Sequence, residues 1–402
     1  MPKQAIIQSS IEAIEFIETP IPTPKDKEVV IKVVVAGTNP KDWKYPMWYV
    51  QPIILLGIVK LKNDEHSNIG FRKEWPHNSG EDMAGIVHSV GKDVYEFKPG
   101  DRVAATHESG KENGSYAEYS VAPDWTTFHI PHNVSFEEAA TMPVAALTAA
   151  LALYGDLKLP TPYDSPKLSE SGEKVPLLIY GVTSAVGAFA AKLARLSGFS
   201  PIIGVAGRAG DYASTLVDYV VDYRKGEDAL VATVQEISEK EGLGGKITNV
   251  FDAISESGSL EATLRFVDPN AGNVSTVLPP KLFARDRENY KYPPGVTACN
   301  TAFPTVHSTH KDFGYLWTRY LGRLLEDGRL KGHPYEVIPG GLKGVLTGLQ
   351  NLRDGKASAV KYVYRIEETG DVPSFFQGTD KPASGPQTNQ SSQRVPDFPF
   401  PS

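Results

Sequence analysis

A glycine-containing turn between an apolar run and a small-residue helix is the part of the sequence best suited to hold a phosphate-bearing ligand. The run Val175–Tyr180 is typical of a buried strand, the turn covers Gly181–Gly187, and a mostly apolar helix follows and ends at Gly198. Small residues let the backbone approach a pyrophosphate, and N–H groups at a helix start bind its charge. Ser184 and Ala185 stand where further glycines would complete G-x-G-x-x-G. The turn indicates a dinucleotide site, with an ordinary strand–helix joint as the alternative.

The next strand bears on which dinucleotide is bound. Pro201–Ala206 is apolar and is followed by Gly207 and Arg208, whereas the nearest acidic residue is Asp211. NAD-binding folds usually hold the ribose 2′-hydroxyl with an acidic residue at this strand end. An arginine instead offers a planar fork of donors that suits a 2′-phosphate. We therefore predict NADP as the cofactor; the alternative is that Arg208 is a solvated loop residue.

Length and composition limit the class of protein that surrounds this site. The 402 residues are enough for two domains, and a net charge of −7 gives no basic surface for nucleic acid. The single cysteine, Cys299, excludes an internal disulfide and a cysteine-built zinc site. The N-terminal residues lack the apolar core of a signal peptide, and the most apolar window, Met47–Leu61, is too short to span a bilayer. We expect a cytoplasmic protein with no integral membrane segment.

The elements that must position the site change in type along the chain. Strand signals dominate the first part, at Val29–Ala36, Ala84–Val90, Arg102–Ala105 and Tyr116–Val121. A helix is predicted over Ser135–Leu153, and strands and helices alternate from Val175, which is typical of a parallel sheet. We expect a β-rich domain over residues 1–130, a nucleotide-binding domain over 131–310, a return segment over 311–370 that completes the first domain, and a disordered tail over 371–402.

Four passages resemble the medium-chain dehydrogenase/reductase superfamily: Gly80–Val103, Asn113–Pro123, the LIYGVTSAVG turn, and Val337–Ile366. The resemblance implies an α/β fold, in which a Rossmann domain with a doubly wound parallel sheet accompanies a β-rich GroES-like catalytic domain. Within the superfamily the chain is most similar to fungal trans-acting enoyl reductases and quinone-oxidoreductase-like proteins. The residues that carry this similarity are NPKDWK (Asn39–Lys44), VVDYR (Val220–Arg224) and GRLKGHPYEVIPGG (Gly328–Gly341).

The resemblance also implies roles for individual residues. Cofactor contacts are expected from Lys41, Asp42, Trp43, Lys44, Gly181, Ser184, Ala185, Val186, Gly187, Gly207, Arg208, Tyr223, Leu278, Ser358 and Ala359. Substrate contacts are expected from Trp48, Pro143, Val144 and Thr148. The Thr148 hydroxyl or backbone N–H groups are the candidate donors to an enolate, and Lys44 and Tyr45 are candidate proton donors, with water as an alternative. Tyr223 as a packed aromatic and Lys44 as a solvated lysine are the alternatives for those two.

The metal ligands of zinc-dependent members are missing from the matching positions. Asn39 stands in the region of the zinc-binding cysteine, and Gly80-Glu81-Asp82 replaces Gly-His-Glu. His307 and His310 could share a helix face, but with no third ligand evident we interpret them as a solvated pair, and we predict no metal site.

Without a Lewis acid the enzyme needs an acceptor that is already activated. We therefore expect an NADPH-dependent, zinc-independent oxidoreductase that reduces an activated C=C bond, in an enoyl thioester or enone, or a quinone. An aldehyde reductase and a non-catalytic NADPH sensor on the same fold are the alternatives. The expected partner is a small-molecule or carrier-bound acyl substrate, and the expected state is a monomer or homodimer.

One long segment, Met47–Trp75, separates NPKDWK from the next matching passage, and its first half is apolar and aromatic. Because it follows a loop expected to face the nicotinamide, we interpret it as a wall or lid for a bulky apolar acceptor. Packing within the domain, an oligomer contact and membrane-surface attachment are its alternatives.

Overall fold

The computed structural model describes residues 1–8, 11–44, 77–165, 170–172, 174–372 and 375–377. In these ranges the strands are β1 (Lys3–Ile7), β2 (Ala13–Glu18), β3 (Glu28–Gly37), β4 (Asp82–Val90), β5 (Arg102–Thr106), β6 (Tyr119–Pro123), β7 (Thr127–His129), β8 (Leu177–Tyr180), β9 (Ile202–Ala206), β10 (Tyr219–Asp222), β11 (Asn249–Asp252), β12 (Asn273–Thr276), β13 (Thr297–Asn300), β14 (Tyr335–Val337), β15 (Lys361–Arg365) and β16 (Phe375–Gln377).

The helices of the same ranges lie mostly in the second half of the chain. They are α1 (Phe136–Ala140), α2 (Pro143–Ala150), α3 (Ala185–Leu196), α4 (Gly210–Ser214), α5 (Glu227–Lys240), α6 (Ser259–Phe266), α7 (Pro280–Phe283), α8 (Lys311–Glu326) and α9 (Gly344–Arg353). A short helical stretch over residues 40–44 follows β3. No helix of the described residues is both long enough and apolar enough to cross a membrane.

A six-stranded parallel sheet has the order β10-β9-β8-β11-β12-β13. Its β8 strand is apolar throughout because both of its faces are covered. Leu177 and Ile179 pack in the core that includes α3, whereas Leu178 packs in the core on the other face with Val234 of α5 and Phe266 of α6. The predicted α/β fold with a parallel, doubly wound sheet is confirmed.

The second large sheet joins the two ends of the chain. Its order is β14-β15-β3-β4-β5-β7, and β6 pairs with β3. The C-terminal strand β15 is antiparallel to β3, with Val363 opposite Gly37. Residues near the C-terminus therefore complete the N-terminal β-rich sheet, in the manner expected of a return segment. The domain boundaries themselves stay predictions.

The structure corrects several expectations about individual elements. The helix predicted over Ser135–Leu153 is divided into α1 and α2, because Pro143 has no N–H to continue the hydrogen-bond ladder of α1. A π-helical stretch, Leu151–Asp156, follows α2. The strand predicted over Tyr116–Val121 lies over Tyr119–Pro123 instead, and α3 begins at Ala185 rather than at Ala188.

The C-terminal tail is the second point of correction. We predicted disorder from residue 371, but Phe375–Gln377 forms β16 and pairs antiparallel with β2, with Phe375 opposite Glu15. The prediction is therefore wrong for these residues. Residues 378–402 lie outside the described part of the chain.

Candidate active site

The carboxyl ends of the parallel strands bring three predicted cofactor segments to one edge of the sheet. β8 runs into the turn that starts at Gly181, β9 is followed by Gly207, and β12 is followed closely by Leu278. Because β9, β8, β11 and β12 are neighbours and parallel, these turns lie side by side. Ligands of open parallel sheets bind at this edge.

The turn after β8 has the geometry of a phosphate cradle. Gly181 adopts a φ of +75°, which glycine tolerates better than any other residue. A Cβ at Gly187 would lie 2.2 Å from the Gly181 carbonyl oxygen, so α3 packs directly against the turn. The Ser184 hydroxyl accepts a hydrogen bond from the Gly187 N–H at 3.1 Å. The N–H groups of Ala185 and Val186 stand in the first helical turn, where no helix carbonyl can accept them, and they fit a pyrophosphate.

The end of β9 carries the predicted adenosine contacts. The Tyr223 ring covers Gly207, where a Cβ would lie 2.7 Å from Tyr223 Cε1, and 48% of Tyr223 stays exposed. The Arg208 guanidinium donates a hydrogen bond to the Gly355 carbonyl at 2.7 Å. Arg208 is therefore exposed at the strand end yet tied to the return segment. Asp211, the nearest acidic residue after β9, lies in the first turn of α4.

The segment around Gly355 holds the last two predicted cofactor residues, Ser358 and Ala359. Ala359 adopts a φ of +54°, a left-handed conformation that costs a non-glycine residue about 1–2 kcal/mol. Backbone strain of this kind concentrates at functional sites. The contact from Arg208 brings this strained segment to the same edge as the phosphate cradle.

The helical stretch at residues 40–44 is fixed from inside the N-terminal domain. Lys41 Nζ lies 2.7 Å from Glu81 Oε1 and 2.8 Å from Asp42 Oδ1, and it donates to the Ser79 carbonyl at 2.8 Å. Asp42 Oδ2 accepts a hydrogen bond from the Tyr116 hydroxyl at 2.6 Å. The Asp42 side chain has no exposed surface. Asp42 is one of the predicted cofactor residues, but its carboxylate is bonded within the protein. It stabilises the helical stretch at residues 40–44 rather than facing a ligand.

Burial shifts the acids of this cluster toward their neutral forms. Removal from water raises the pKa of Glu81 to about 7, against the opposing attraction of Lys41. Burial likewise raises the pKa of Asp42, again opposed by Lys41. The Ser109 hydroxyl donates to Glu81 and completes the cluster. The buried carboxyl groups of Asp42 and Glu81 thus share the ammonium of Lys41.

Lys44 reaches from this stretch to the nucleotide-binding sheet. Its ammonium lies 2.7 Å from Glu256 Oε1, and its side chain is only 8% exposed. The Trp43 and Phe283 ring centres lie 5.5 Å and 5.9 Å from the ammonium. Lys44 is therefore not the solvated lysine of the alternative interpretation. Glu256, which sequence reasoning missed, joins the candidate site through this contact with Lys44; its signal was a small polar run that follows the predicted strand.

The loop that carries Glu256 is strained and tightly held. Ser255 and Ser257, on either side of it, have φ values of +58° and +56°. Asp252 Oδ1 accepts the Ser255 N–H at 2.8 Å, and the Ser255 hydroxyl accepts the Val277 N–H at 2.9 Å. The loops after β11 and β12 are thereby joined, which fixes the segment leading to Leu278.

Helix α2 holds the predicted substrate residues. Pro143 occupies its start, and the Val144 N–H donates to Asp82 Oδ1 at 2.8 Å. The Thr148 hydroxyl donates to the Val144 carbonyl at 2.7 Å, and Thr148 is 6% exposed. The hydroxyl proton is thus engaged within its own helix, so donation to a substrate oxygen requires rotation about the Cβ–Oγ1 bond that breaks this hydrogen bond.

Two residues from the passages that match metal-binding motifs, Asn39 and Asp82, contact the ammonium of Lys361. Asp82 Oδ2 accepts from the Asn39 amide at 3.1 Å and forms an ion pair with Lys361. Lys361 also donates to the Asn39 amide oxygen at 3.0 Å. Across the described ranges, His, Cys, Asp and Glu side chains do not gather in groups of three that suit a metal ion.

The two histidines near α8 differ from the predicted solvated pair. His307 is only 5% exposed, and burial lowers its pKa to about 3, so the prediction is wrong for this residue. His310 Nδ1 lies 3.1 Å from the Thr309 hydroxyl oxygen. Tyr45, Trp48 and the remainder of Met47–Trp75 lie outside the described residues, and the lid interpretation with them.

Comparison with known proteins agrees with this architecture. Residues 25–132 match the family model of the alcohol dehydrogenase GroES-like domain. The structure resembles that of the CurK enoyl reductase, with a TM-score of 0.69 and 20% identity over 90% of this chain and 98% of that one. It also resembles a quinone oxidoreductase of Coxiella burnetii, with a TM-score of 0.64 and 21% identity over 90% and 99% of the two chains. At these identities the likeness establishes the fold.

Curated relatives extend the match to nearly the whole chain. A trans-enoyl reductase of Gibberella fujikuroi is 36% identical over 85% of this chain and 92% of its own length. A second, from Aspergillus sclerotiorum, is 32% identical over 90% of this chain and the full length of the relative. With the GroES-like segment, the parallel sheet and these relatives together, the chain belongs to the trans-enoyl reductase group of the medium-chain dehydrogenase/reductase oxidoreductases.

Proposed function

We propose that this enzyme is an NADPH-dependent reductase that works without zinc and transfers hydride to the activated C=C bond of an enoyl thioester or enone. Quinones, which are activated in the same sense, are the second acceptor class of the proposal. A bound reduced nicotinamide dinucleotide supplies the hydride. The protein's part is to hold the cofactor and the acceptor and to stabilise the charge that develops on the acceptor oxygen.

The observation that carries the proposal is the Asn39–Asp82–Lys361 cluster, in which Asn39 and Asp82 come from the passages that match the metal-binding motifs of zinc-dependent members. Catalytic zinc requires about three protein ligands and an open position. Here the one carboxylate of the cluster is neutralised by an ammonium, and the amide is hydrogen-bonded on both of its polar atoms. A site of this composition favours acceptors that need no Lewis acid, such as conjugated enoyl groups.

The cofactor part of the proposal rests on fit at two places. Gly187 packs against the Gly181 carbonyl too closely for any Cβ, so α3 begins directly at the turn. The N–H groups of its first turn suit a pyrophosphate. Arg208, rather than an acid, follows β9, and its guanidinium suits a 2′-phosphate. The cradle suits either dinucleotide, whereas Arg208 favours NADPH over NADH.

The acceptor side is proposed to include Lys44 and α2. Lys44 stands between the N-terminal domain and the loop after β11, where an ammonium can stabilise negative charge on a thioester oxygen or return a proton. The Thr148 hydroxyl offers a second donor once its proton turns away from the Val144 carbonyl. The trans-enoyl reductase relatives support an acyl substrate, which we propose is a small or carrier-bound enoyl thioester.

The test is NADPH oxidation, followed at 340 nm, with the purified full-length enzyme and three acceptor classes: a 2-enoyl N-acetylcysteamine thioester, a quinone and an unsaturated aldehyde. We expect the enoyl thioester to give the highest kcat/KM and a product saturated at the C=C bond. An aldehyde converted to alcohol with its C=C bond intact would favour the aldehyde reductase instead. Tight NADPH binding without turnover on any acceptor would favour the sensor.

A further inference from the structure

Asp82 links three separated parts of the chain at one end of the N-terminal sheet. Asp82 begins β4, Lys361 begins β15, and Asn39 follows β3, which runs between these two strands. Their exposed fractions are 0%, 5% and 5%, so the ion pair and its amide partner are removed from water. Residue 37 must be glycine here, because a Cβ would lie 2.4 Å from the Ala140 carbonyl oxygen and 3.3 Å from both Asp82 Cβ and Lys361 Cε.

The other oxygen of this carboxylate holds α2. Asp82 Oδ1 accepts the Val144 N–H at 2.8 Å, in the first turn of the helix. A carboxylate is favoured at this position because the helix dipole presents positive charge there. The Val144 carbonyl in turn accepts the Thr148 hydroxyl at 2.7 Å. A continuous series of contacts therefore runs from Lys361 through Asp82 and Val144 to Thr148.

We propose that Asp82 is a positioning residue for the reduction, which sets the location of α2 and, through Val144, the rotamer of Thr148. The inference rests on the proposed function in one respect, that Thr148 contacts the acceptor. Lys361 and Asn39 act by fixing both the charge and the orientation of the carboxylate. An ion pair that only stabilises the fold is the competing explanation.

Three variants separate positioning from folding: Asp82→Asn, Lys361→Met, and the two combined. Asp82→Asn keeps the shape and one acceptor oxygen but removes the charge, and the combined variant leaves no unpaired buried charge. The exposed pair Asp26–Lys92 supplies the control, Asp26→Asn, in the same domain. Urea unfolding of each variant first shows which of them remain folded.

Hydrogen–deuterium exchange gives a readout that does not depend on turnover. In the combined variant we expect the peptide covering residues 143–150 to exchange at least about fivefold faster, with the peptide covering α3 unchanged. Unaltered exchange over residues 143–150, or faster exchange in both peptides alike, would overturn the inference. This measurement stands even if the enzyme reduces none of the acceptors tested.

Kinetics in a Thr148→Val background tests the route through Thr148. We expect Asp82→Asn to lower kcat for the enoyl thioester about tenfold or more and to leave the Kd for NADPH unchanged within about twofold. When Thr148→Val is already present, Asp82→Asn should lower kcat no further. Additive losses, or a kcat that Thr148→Val alone leaves unchanged, would overturn the inference while the proposed function stands. Absence of turnover in the unmodified enzyme would instead defeat the proposed function.

Discussion

The Lys44 ammonium lies 2.7 Å from Glu256 Oε1, and this ion pair joins the helical stretch after β3 to the loop after β11. Lys44 follows a strand of the β-rich sheet, and Glu256 follows a strand of the parallel sheet. Their contact therefore joins the β-rich and nucleotide-binding parts of the chain. Glu256 is held between left-handed Ser255 and Ser257. The strained loop therefore presents a carboxylate to Lys44, one of the two lysines that the resemblance places beside the cofactor.

Glu256→Gln is expected to lower kcat/KM for the enoyl thioester about tenfold, equivalent to about 1.4 kcal/mol. The substitution keeps the shape and an acceptor oxygen but leaves the largely buried Lys44 without its counter-charge. Steady-state kinetics at saturating NADPH measures the effect. Glu326→Gln, which alters an exposed pair with Arg323, is the matched control and should leave kcat/KM unchanged. An equal response of the two variants would contradict the assignment of Glu256 to the site.

Sequence reasoning predicted the structure of segments whose residues are close together in the chain. The turn from Gly181 to Gly187 is recognisable because an apolar strand, small residues and a helix follow one another without interruption. Ser135 begins the predicted helix, and its hydroxyl accepts the Glu138 N–H at 3.0 Å, as an N-cap residue does. Both features depend on residues only a few positions apart, where spacing alone determines geometry.

The contacts between distant residues could not be predicted in the same way. Glu256 lies 212 positions from Lys44, and Lys361 lies 279 positions from Asp82. The order of strands in one sheet brings Lys361 to Asp82, whereas packing between the parts of the chain that hold the two sheets brings Glu256 to Lys44. The missing metal ligands were apparent from residue types, but nothing in the local pattern indicated that an ammonium from β15 joins Asn39.

Arg208 is expected to determine the choice of cofactor. We predict that kcat/KM favours NADPH over NADH by at least about tenfold, or about 1.4 kcal/mol, and that Arg208→Ala removes most of this preference by weakening NADPH use. Part of the loss will reflect the missing contact with the Gly355 carbonyl, which serves either cofactor. The ratio of the two kcat/KM values isolates the phosphate contribution.

Arg208→Lys is the informative intermediate for this prediction, because it keeps the charge and loses the planar fork; its ratio should fall between those of the unmodified enzyme and Arg208→Ala. Arg329→Ala, which removes an exposed arginine paired with Asp327, is the control. Equal use of NADPH and NADH by the unmodified enzyme would show that Arg208 does not read a 2′-phosphate.

The enzyme is expected to work without zinc. Elemental analysis of protein purified without chelators should find well under one zinc per chain, and incubation with a chelator should leave kcat unchanged. The physical reason is that Asp82 and Asn39 are already committed to Lys361, and Glu81 to Lys41 and Ser109. One zinc per chain that is removed together with activity would contradict the prediction.

Glu81 is expected to make the stability of the fold depend on pH. Its folded-state pKa of about 7 lies above the ordinary value of 4.5, so between these values the folded state binds more protons than the unfolded one. Stability from this group is therefore present at low pH and is lost as the pH rises through that window. Glu81→Gln removes the titration and, with it, the dependence.

We predict that the free energy of unfolding of the unmodified enzyme, minus that of Glu81→Gln, falls by about 1–3 kcal/mol between pH 4.5 and pH 8. Urea unfolding at several pH values measures this difference, in which contributions of groups that do not interact with Glu81 cancel; Asp42, which shares Lys41 with Glu81, contributes to the remainder. Ser109→Ala is the control: it keeps the carboxyl group but removes a hydrogen bond that lowers its pKa, so the dependence should remain, begin at the same pH and extend to higher pH. A difference that is constant, or that grows as the pH rises, would show that Glu81 is ionised throughout and that Lys41 outweighs burial.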